Sequence, residues 1–295
     1  MSAIAVIGSG AIGTVLAAAA ARSGHEVVMC VRTPVDQLVL EVDGRPEVLP
    51  VTIRREPAEV APVDWVLLAT KAPDTVSAAP WLDRLRGEHT VLVVVQNGVE
   101  HEANAAPVTG GATVLPALIY VGAERVAPGH VRRHGGPGRL VVPSGGAGDE
   151  LAELLAGSGL DVTREVDFHT AAWRKLLSNV AANPITALAV RRTDVLREAE
   201  VERLARALLT EAVEVGVACG ARLSTDDVRR TIEFYRRLPD GTGTSMLYDR
   251  LAGQRTEHEL INGVVVRLGR EHSVPTPANQ AVYALLGAIE GEKQS

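Results

Sequence analysis

Over roughly the first 165 residues, short apolar runs rich in Val, Ile and Leu alternate with stretches whose apolar positions recur every three or four residues. That alternation predicts strands separated by helices, as in a parallel sheet covered on both faces. The runs at 3–7, 26–31, 64–69, 90–95 and 113–120 read as its strands, and three of them are almost unbroken in hydrophobicity, as strands buried on both sides should be. A glycine-rich stretch follows, with two further strand candidates at 131–133 and 139–142 that suggest an antiparallel edge or hairpin. From about residue 168 the strand signals cease and helical spacing takes over, for instance at 201–217 and 261–268. The pattern predicts an α/β domain over 1–166 followed by an all-helical domain over 167–295, packed together with a cleft between them.

The opening AVIGSGAIGTVLAAAA is a strand, a glycine turn and an Ala-rich helix. In Gly8-Ser9-Gly10-Ala11-Ile12-Gly13, one glycine suits the turn, one lets a ligand approach the backbone and one lets helix and strand pack closely. The helix N-terminus supplies partial positive charge for a pyrophosphate, so these six residues are expected to hold a dinucleotide. The second strand ends in VVMCVRT, with Arg32 where an acidic residue would accept from the ribose 2′-hydroxyl of NAD. A basic residue there favours the 2′-phosphate of NADP, although one of the many arginines could fall there by chance.

Ligands of open α/β sheets bind beyond the carboxyl ends of the strands. Lys71 follows the 64–69 run and Asn97-Gly98 follow the 90–95 run, which sets a cation and an amide beside the same crevice as the glycine loop. Later, WRKLLSNVAANPITAL spaces Lys175, Asn179 and Asn183 four apart, on one stripe of a helix expected over 168–188. Asn is a poor helix former, so two on one stripe ask for a reason, although a solvated polar face would give the same pattern. Pro184 brings no N–H and should kink the helix or free a carbonyl where the stripe ends.

Composition narrows the classes. With 36 acidic and 30 basic side chains the net charge is -6, which offers no cationic surface for nucleic acid, and 3% aromatic residues leave few stacking platforms. Two cysteines without metal-ligand spacing exclude a disulfide framework and a zinc site and fit a reducing, cytoplasmic setting. No basic residues precede the apolar run at 12–21, glycines interrupt its approach, and no run reaches the ~18 residues of a membrane span, so neither a leader nor a membrane protein is expected. The basic residues are nearly all arginine; the lysines are Lys71, Lys175 and Lys293. Lysine can give up a proton when buried and arginine cannot, so Lys71 and Lys175 stand out, while Lys293 lies in a polar tail.

The chain resembles the ketopantoate reductases, NADPH-dependent 2-dehydropantoate 2-reductases. The resemblance rests on GSGAIG, Arg32, Thr70-Lys71, Gln96-Asn97-Gly98, WRKLLSNVAANPITAL and TSMLYDRLAGQRTEHELING with Ser245, Glu257 and Asn262, and runs over nearly the whole length. It implies a Rossmann-like NADP(H)-binding domain, then a helical domain, and reduction of a small 2-oxo acid, ketopantoate to pantoate, in pantothenate biosynthesis. By the same resemblance Lys175 is the catalytic lysine and Glu257 completes the catalytic site. Asn97 lies near the nicotinamide and the substrate, Lys71 lies on the cofactor side, and Asn179, Asn183 and Ser245 bind substrate. Thr193 stands where some members carry a further substrate-contacting Asn. Two alternatives stay open: reduction of a different 2-oxo acid, suggested by Thr193, and a non-catalytic NADP(H)-binding regulator. Self-association as a homodimer is left open too.

Overall fold

The structure is a computed structural model that describes residues 2–291, so Lys293 lies outside the described residues. Its contacts divide the chain into two compact units, Met1–Gln96 with Glu100–Phe168, and Asn97–Val99 with His169–Ser295.

The first unit holds β1 (Ala3–Ile7), β2 (Glu26–Cys30), β3 (Val39–Val42), β4 (Arg45–Val48), β5 (Thr52–Arg54), β6 (Val63–Leu68), β7 (Arg86–Val94), β8 (Thr113–Pro116), β9 (Leu118–Ala127), β10 (His130–Pro143) and β11 (Asp161–Glu165). Its helices are α1 (Ala11–Arg22), α2 (Ala79–Leu85), α3 (His101–Thr109) and α4 (Ala147–Leu154). The main sheet runs β5-β2-β1-β6-β7-β8 with every pairing parallel. Strand order reverses between β1 and β6, which makes the carboxyl ends of those two strands the ligand crevice of such a sheet. Along β1, Ile4 and Val6 enter the core that contains α1, whereas Ala5 and Ile7 enter the core of α2 and α3. Two buried faces account for the unbroken hydrophobicity of the central strands.

A second sheet runs β11-β10-β3-β4, with β9 added antiparallel to β10. Here the structure departs from the sequence expectation. The candidates at 131–133 and 139–142 are one strand, β10, whose register against β9 slips between His134 and Arg139, where Gly135, Gly136 and Gly138 stand. The run at 113–120 is two strands: β8 ends in the main sheet, and after Ala117 the chain enters the second sheet as β9. The short strands β4, β5 and β11, with sequences RPEV, TIR and DVTRE, carry charges and exposed positions, so no apolar run marked them, whereas β3, VLEV, is apolar but for Glu41 and was not among the expected strands.

His101 opens α3 and is 4% exposed, its Nε2–H donating to the Gln96 carbonyl at 3.0 Å and its ring lying edge-on to Phe168. Burial pushes its pKa down from the ordinary 6.5 to about 4, outweighing the Gln96 bond, which acts the other way. Between those two values the unfolded chain binds the proton more readily, so stability is full above about pH 6.5 and is lost as pH falls toward about 4. The shift corresponds to about 3 kcal/mol. Thermal melts between pH 7 and 4 are expected to show a steeper loss of Tm for the wild type than for His101→Gln; equal slopes would refute the assignment.

The second unit is helical: α5 (Phe168–Val180, which starts at the unit boundary), α6 (Ala182–Ala189), α7 (Ala199–Ala218), α8 (Thr225–Arg237), α9 (Ser245–Leu251), α10 (Val264–Glu271) and α11 (Pro277–Gly291). Trp173 of α5 is fully buried at its centre, and Gly216 of α7 makes room for it, since a Cβ there would lie 3.0 Å from the indole. Ser224 caps α8 in a reciprocal box: its hydroxyl accepts from the Asp226 N–H and Asp227 accepts from the Ser224 N–H. The single helix expected over 168–188 is two, broken at Ala181, and the helix expected over 261–268 begins as a π-turn at Glu259–Gly263. Among the described residues no helix is long and apolar enough to cross a membrane, and no group of three or more His, Cys, Asp or Glu side chains could hold a metal ion.

Candidate functional site

In the first unit the glycine loop between β1 and α1 accepts nothing larger at two positions. Gly8 has φ +108°, and a Cβ there would lie 2.9 Å from the Ala69 carbonyl oxygen; a Cβ on Gly13 would meet the Gly8 oxygen at 1.8 Å. Gly10 differs, because a Cβ there would meet nothing within 4 Å: the backbone faces open space. Gly10 also caps α1 without any side-chain hydrogen bond, so the first amides of the helix are left for an anion. Ser9, Ala11 and Ile12 complete the loop, each half-buried. A pyrophosphate fits this cradle.

Beyond β2, the Arg32 guanidinium projects from the surface and reaches Asp74 through two contacts, Nη1 to Oδ1 at 3.2 Å and Nη2 to Oδ2 at 3.5 Å. Lys71 is half-buried and starts the 3₁₀ turn Ala72–Ala78 that follows β6. Sequence reasoning gave no role to Gln96, which is 8% exposed and donates from Nε2 to the Thr70 carbonyl at 3.0 Å and the Thr75 hydroxyl at 2.8 Å. It pins the segment carrying Lys71 to the end of β7, and its Oε1 is buried without a protein partner. The signal was present: one amide closing the apolar run TVLVVVQ.

The second unit brings most of the remaining candidates into two groups. Asn97 donates from Nδ2 to Glu257 Oε2 at 2.7 Å and accepts at Oδ1 from Asn179 Nδ2 at 3.4 Å. The run has a fixed direction, from Asn179 through Asn97 to the carboxylate, and Lys175 stands one turn before Asn179 on α5, half-buried. Gly98 allows this placement, with φ +106° and its would-be Cβ 3.4 Å from the Leu260 carbonyl oxygen of the π-turn. In the second group Asn183, 4% exposed on α6, lies 3.5 Å by Nδ2 from the hydroxyl of the exposed Ser245 that starts α9. The break at Ala181 divides the expected stripe, with Lys175 and Asn179 before it and Asn183 after it.

Threonines hold the second group. Thr186 has one hydroxyl proton and donates it to the Ala182 carbonyl at 2.7 Å, so at its 2.7 Å contact with Thr244 the Thr244 hydroxyl is the donor. Thr244 in turn accepts from the Leu247 N–H at 3.2 Å and caps α9 beside Ser245. Thr193, 2% exposed, places both its N–H and its hydroxyl on the Thr242 carbonyl, at 2.9 and 3.1 Å. That hydroxyl proton is spent on the loop entering α9, and sequence alone could not reveal it.

Two family models match the chain. One, described as ketopantoate reductase PanE/ApbA, covers residues 4–147, and the other, described as its C terminal, covers residues 167–290. A 2-dehydropantoate 2-reductase from Mycobacterium tuberculosis is 42% identical over 287 residues, 97% of each chain. The crystal structure of a PanE/ApbA family ketopantoate reductase from Ralstonia eutropha is similar with a TM-score of 0.87 at 31% identity, covering 99% of this chain and 100% of that one. A dimeric ketopantoate reductase from Staphylococcus aureus is similar with a TM-score of 0.86 at 26% identity, covering 98% and 99%.

Proposed function

The chain belongs to the ketopantoate reductase family and is an oxidoreductase, and from that premise we propose that it reduces the 2-oxo group of ketopantoate to the hydroxyl of pantoate with NADPH. The observation that carries this reading is the directed run Asn179–Asn97–Glu257 with Lys175 one turn away on the same helix. NADPH, when bound, supplies the hydride that C2 of the ketone accepts. Gly8–Gly13 and the bare N-terminus of α1 hold its pyrophosphate, Arg32 meets its 2′-phosphate, and Lys71 lies on the same side.

Negative charge develops on the ketone oxygen as C2 is reduced. The Lys175 ammonium donates to that oxygen, stabilises the charge and then transfers its proton, which solvent restores. Arginine would stabilise the charge but keep its proton. Asn97 spends one N–H on Glu257 and so orients that carboxylate, whose role is to accept from the ammonium or from a substrate hydroxyl. Asn183 and Ser245 bind the substrate carboxylate and orient the ketone. Pantothenate biosynthesis in the cytoplasm is the setting that follows from this substrate. Homodimerisation is part of the proposal, supported by the dimeric Staphylococcus aureus relative.

A second reading has its own observation. Thr193 cannot offer substrate the proton it gives to Thr242, so a reductase of another branched or hydroxylated 2-oxo acid is the alternative. Steady-state rates over a panel of 2-oxo acids, each run with NADPH and with NADH, separate the two. The expected result is the highest kcat/KM for ketopantoate with NADPH; a higher value for another acid selects the alternative, and no NADPH oxidation with any acid overturns both.

A further inference from the structure

Pro184 has no N–H, so the carbonyl four residues before it, Val180, has no helical donor, and the helix restarts only with Ile185 N–H to Ala181 O at 3.1 Å. The Val180 oxygen is satisfied from elsewhere: Asn262 Nδ2 donates to it at 2.9 Å. Asn262 is fully buried, and its second amide hydrogen goes to Asn279 Oδ1 at 2.9 Å. Asn279 is anchored on α7, donating to the Leu208 carbonyl at 3.1 Å and to Glu211 Oε2 at 2.8 Å. A second side chain closes the break from α8, where the buried Tyr235 hydroxyl lies 3.0 Å from Leu177 O and 3.2 Å from Ser178 O. Meanwhile Asn262 Oδ1 is buried with no protein partner, a desolvation cost that an apolar side chain in its place would avoid.

Asn262 belongs to the π-turn Glu259–Gly263, which follows Glu257 and against which Gly98 lies. π-turns insert an extra residue into a helical turn and gather at functional sites. One side chain thus ties the turn beside Glu257 to the break that separates Asn179 from Asn183. Resting on the reading above, we propose that Asn262 is a positioning residue: it sets the spacing between the Asn179–Asn97–Glu257 arm and the Asn183–Ser245 arm, and through that spacing the fit of the 2-oxo acid. It touches no substrate.

The test compares Pro184→Ala with Pro184→Ala/Asn262→Leu. The alanine introduced in both variants brings an N–H that can donate to Val180 O, so in the double variant that carbonyl stays satisfied, and the donor lost to Asn279 Oδ1 is offset by removal of the unpartnered Asn262 Oδ1. Pro184→Ala should keep KM for ketopantoate within about threefold of the wild type, while the double variant melts within a few degrees of it, binds NADPH unchanged and has KM raised about tenfold or more. A double variant whose KM stays within about twofold of Pro184→Ala overturns the proposal, and one that unfolds makes Asn262 a core-packing residue and overturns it equally. A crystal structure of the double variant with the Asn179–Asn97 and Asn183–Ser245 contacts intact also overturns it, whatever the turnover. Wild-type protein that reduces no 2-oxo acid refutes the functional reading instead, and the crystal structure then decides the positioning alone.

Discussion

Lys175→Ala protein is expected to reduce ketopantoate about a thousandfold more slowly than the wild type while binding NADPH as tightly, because general-acid catalysis contributes some 10²–10⁴ to such a step. In the proposed mechanism the ammonium supplies both the charge that stabilises the developing alkoxide and the proton that quenches it, whereas the neighbouring amides would offer hydrogen bonds but no acid. Lys175→Arg separates the two contributions. Guanidinium keeps the charge and withholds the proton, so its kcat should fall between those of the wild type and the alanine variant. Single-turnover rates with preloaded NADPH, together with NADPH affinity measured by fluorescence, check this. An alanine variant with near-wild-type turnover would mean that water or another group is the acid.

The second large effect concerns the choice between cofactors. Arg32→Ala should raise KM for NADPH by tenfold to a hundredfold and leave KM for NADH almost unchanged, since hydrogen bonds to a charged group contribute about 1.5–3 kcal/mol. Two features of Arg32 decide where in that range the effect falls. Its side chain is 73% exposed, so salt screens the interaction and the effect should shrink as ionic strength rises. Its bond to Asp74 orients the guanidinium, yet also sets a carboxylate beside the proposed 2′-phosphate site. The NADPH to NADH preference of the variant, measured at low and high salt, reads both. A preference that does not change with the substitution removes Arg32 from the cofactor site.

Much of this was legible in the sequence, and the reasons differ from element to element. The central strands showed themselves because burial on both faces demands unbroken apolar runs, and the glycine loop because Gly8 and Gly13 stand where any Cβ would collide. The strands β4, β5 and β11 stayed hidden, since short, charged, half-exposed segments carry no period. Pro184 announced a freed carbonyl, but nothing in the local sequence could say that its donor would be Asn262, 82 residues away from Val180. Thr186, Thr193 and Thr244 were unreadable for the same reason: a threonine that closes a loop by a tertiary hydrogen bond looks like any other. The four-residue spacing from Lys175 to Asn183 is real, and the interruption expected from Pro184 falls three residues earlier, at Ala181, where the one expected helix becomes two.

The residues Asn97–Val99 are counted with the later unit although the chain on both sides of them belongs to the earlier one. In terms of inheritance, Asn97 is encoded amid the first unit, while its two partners, Asn179 and Glu257, are encoded far downstream. A recombination event near codon 168 would take Asn97 from one parent and the groups it bonds from the other. An exchange of halves between relatives at that point would keep this run of hydrogen bonds only where both parents carry the same amides and the same acid.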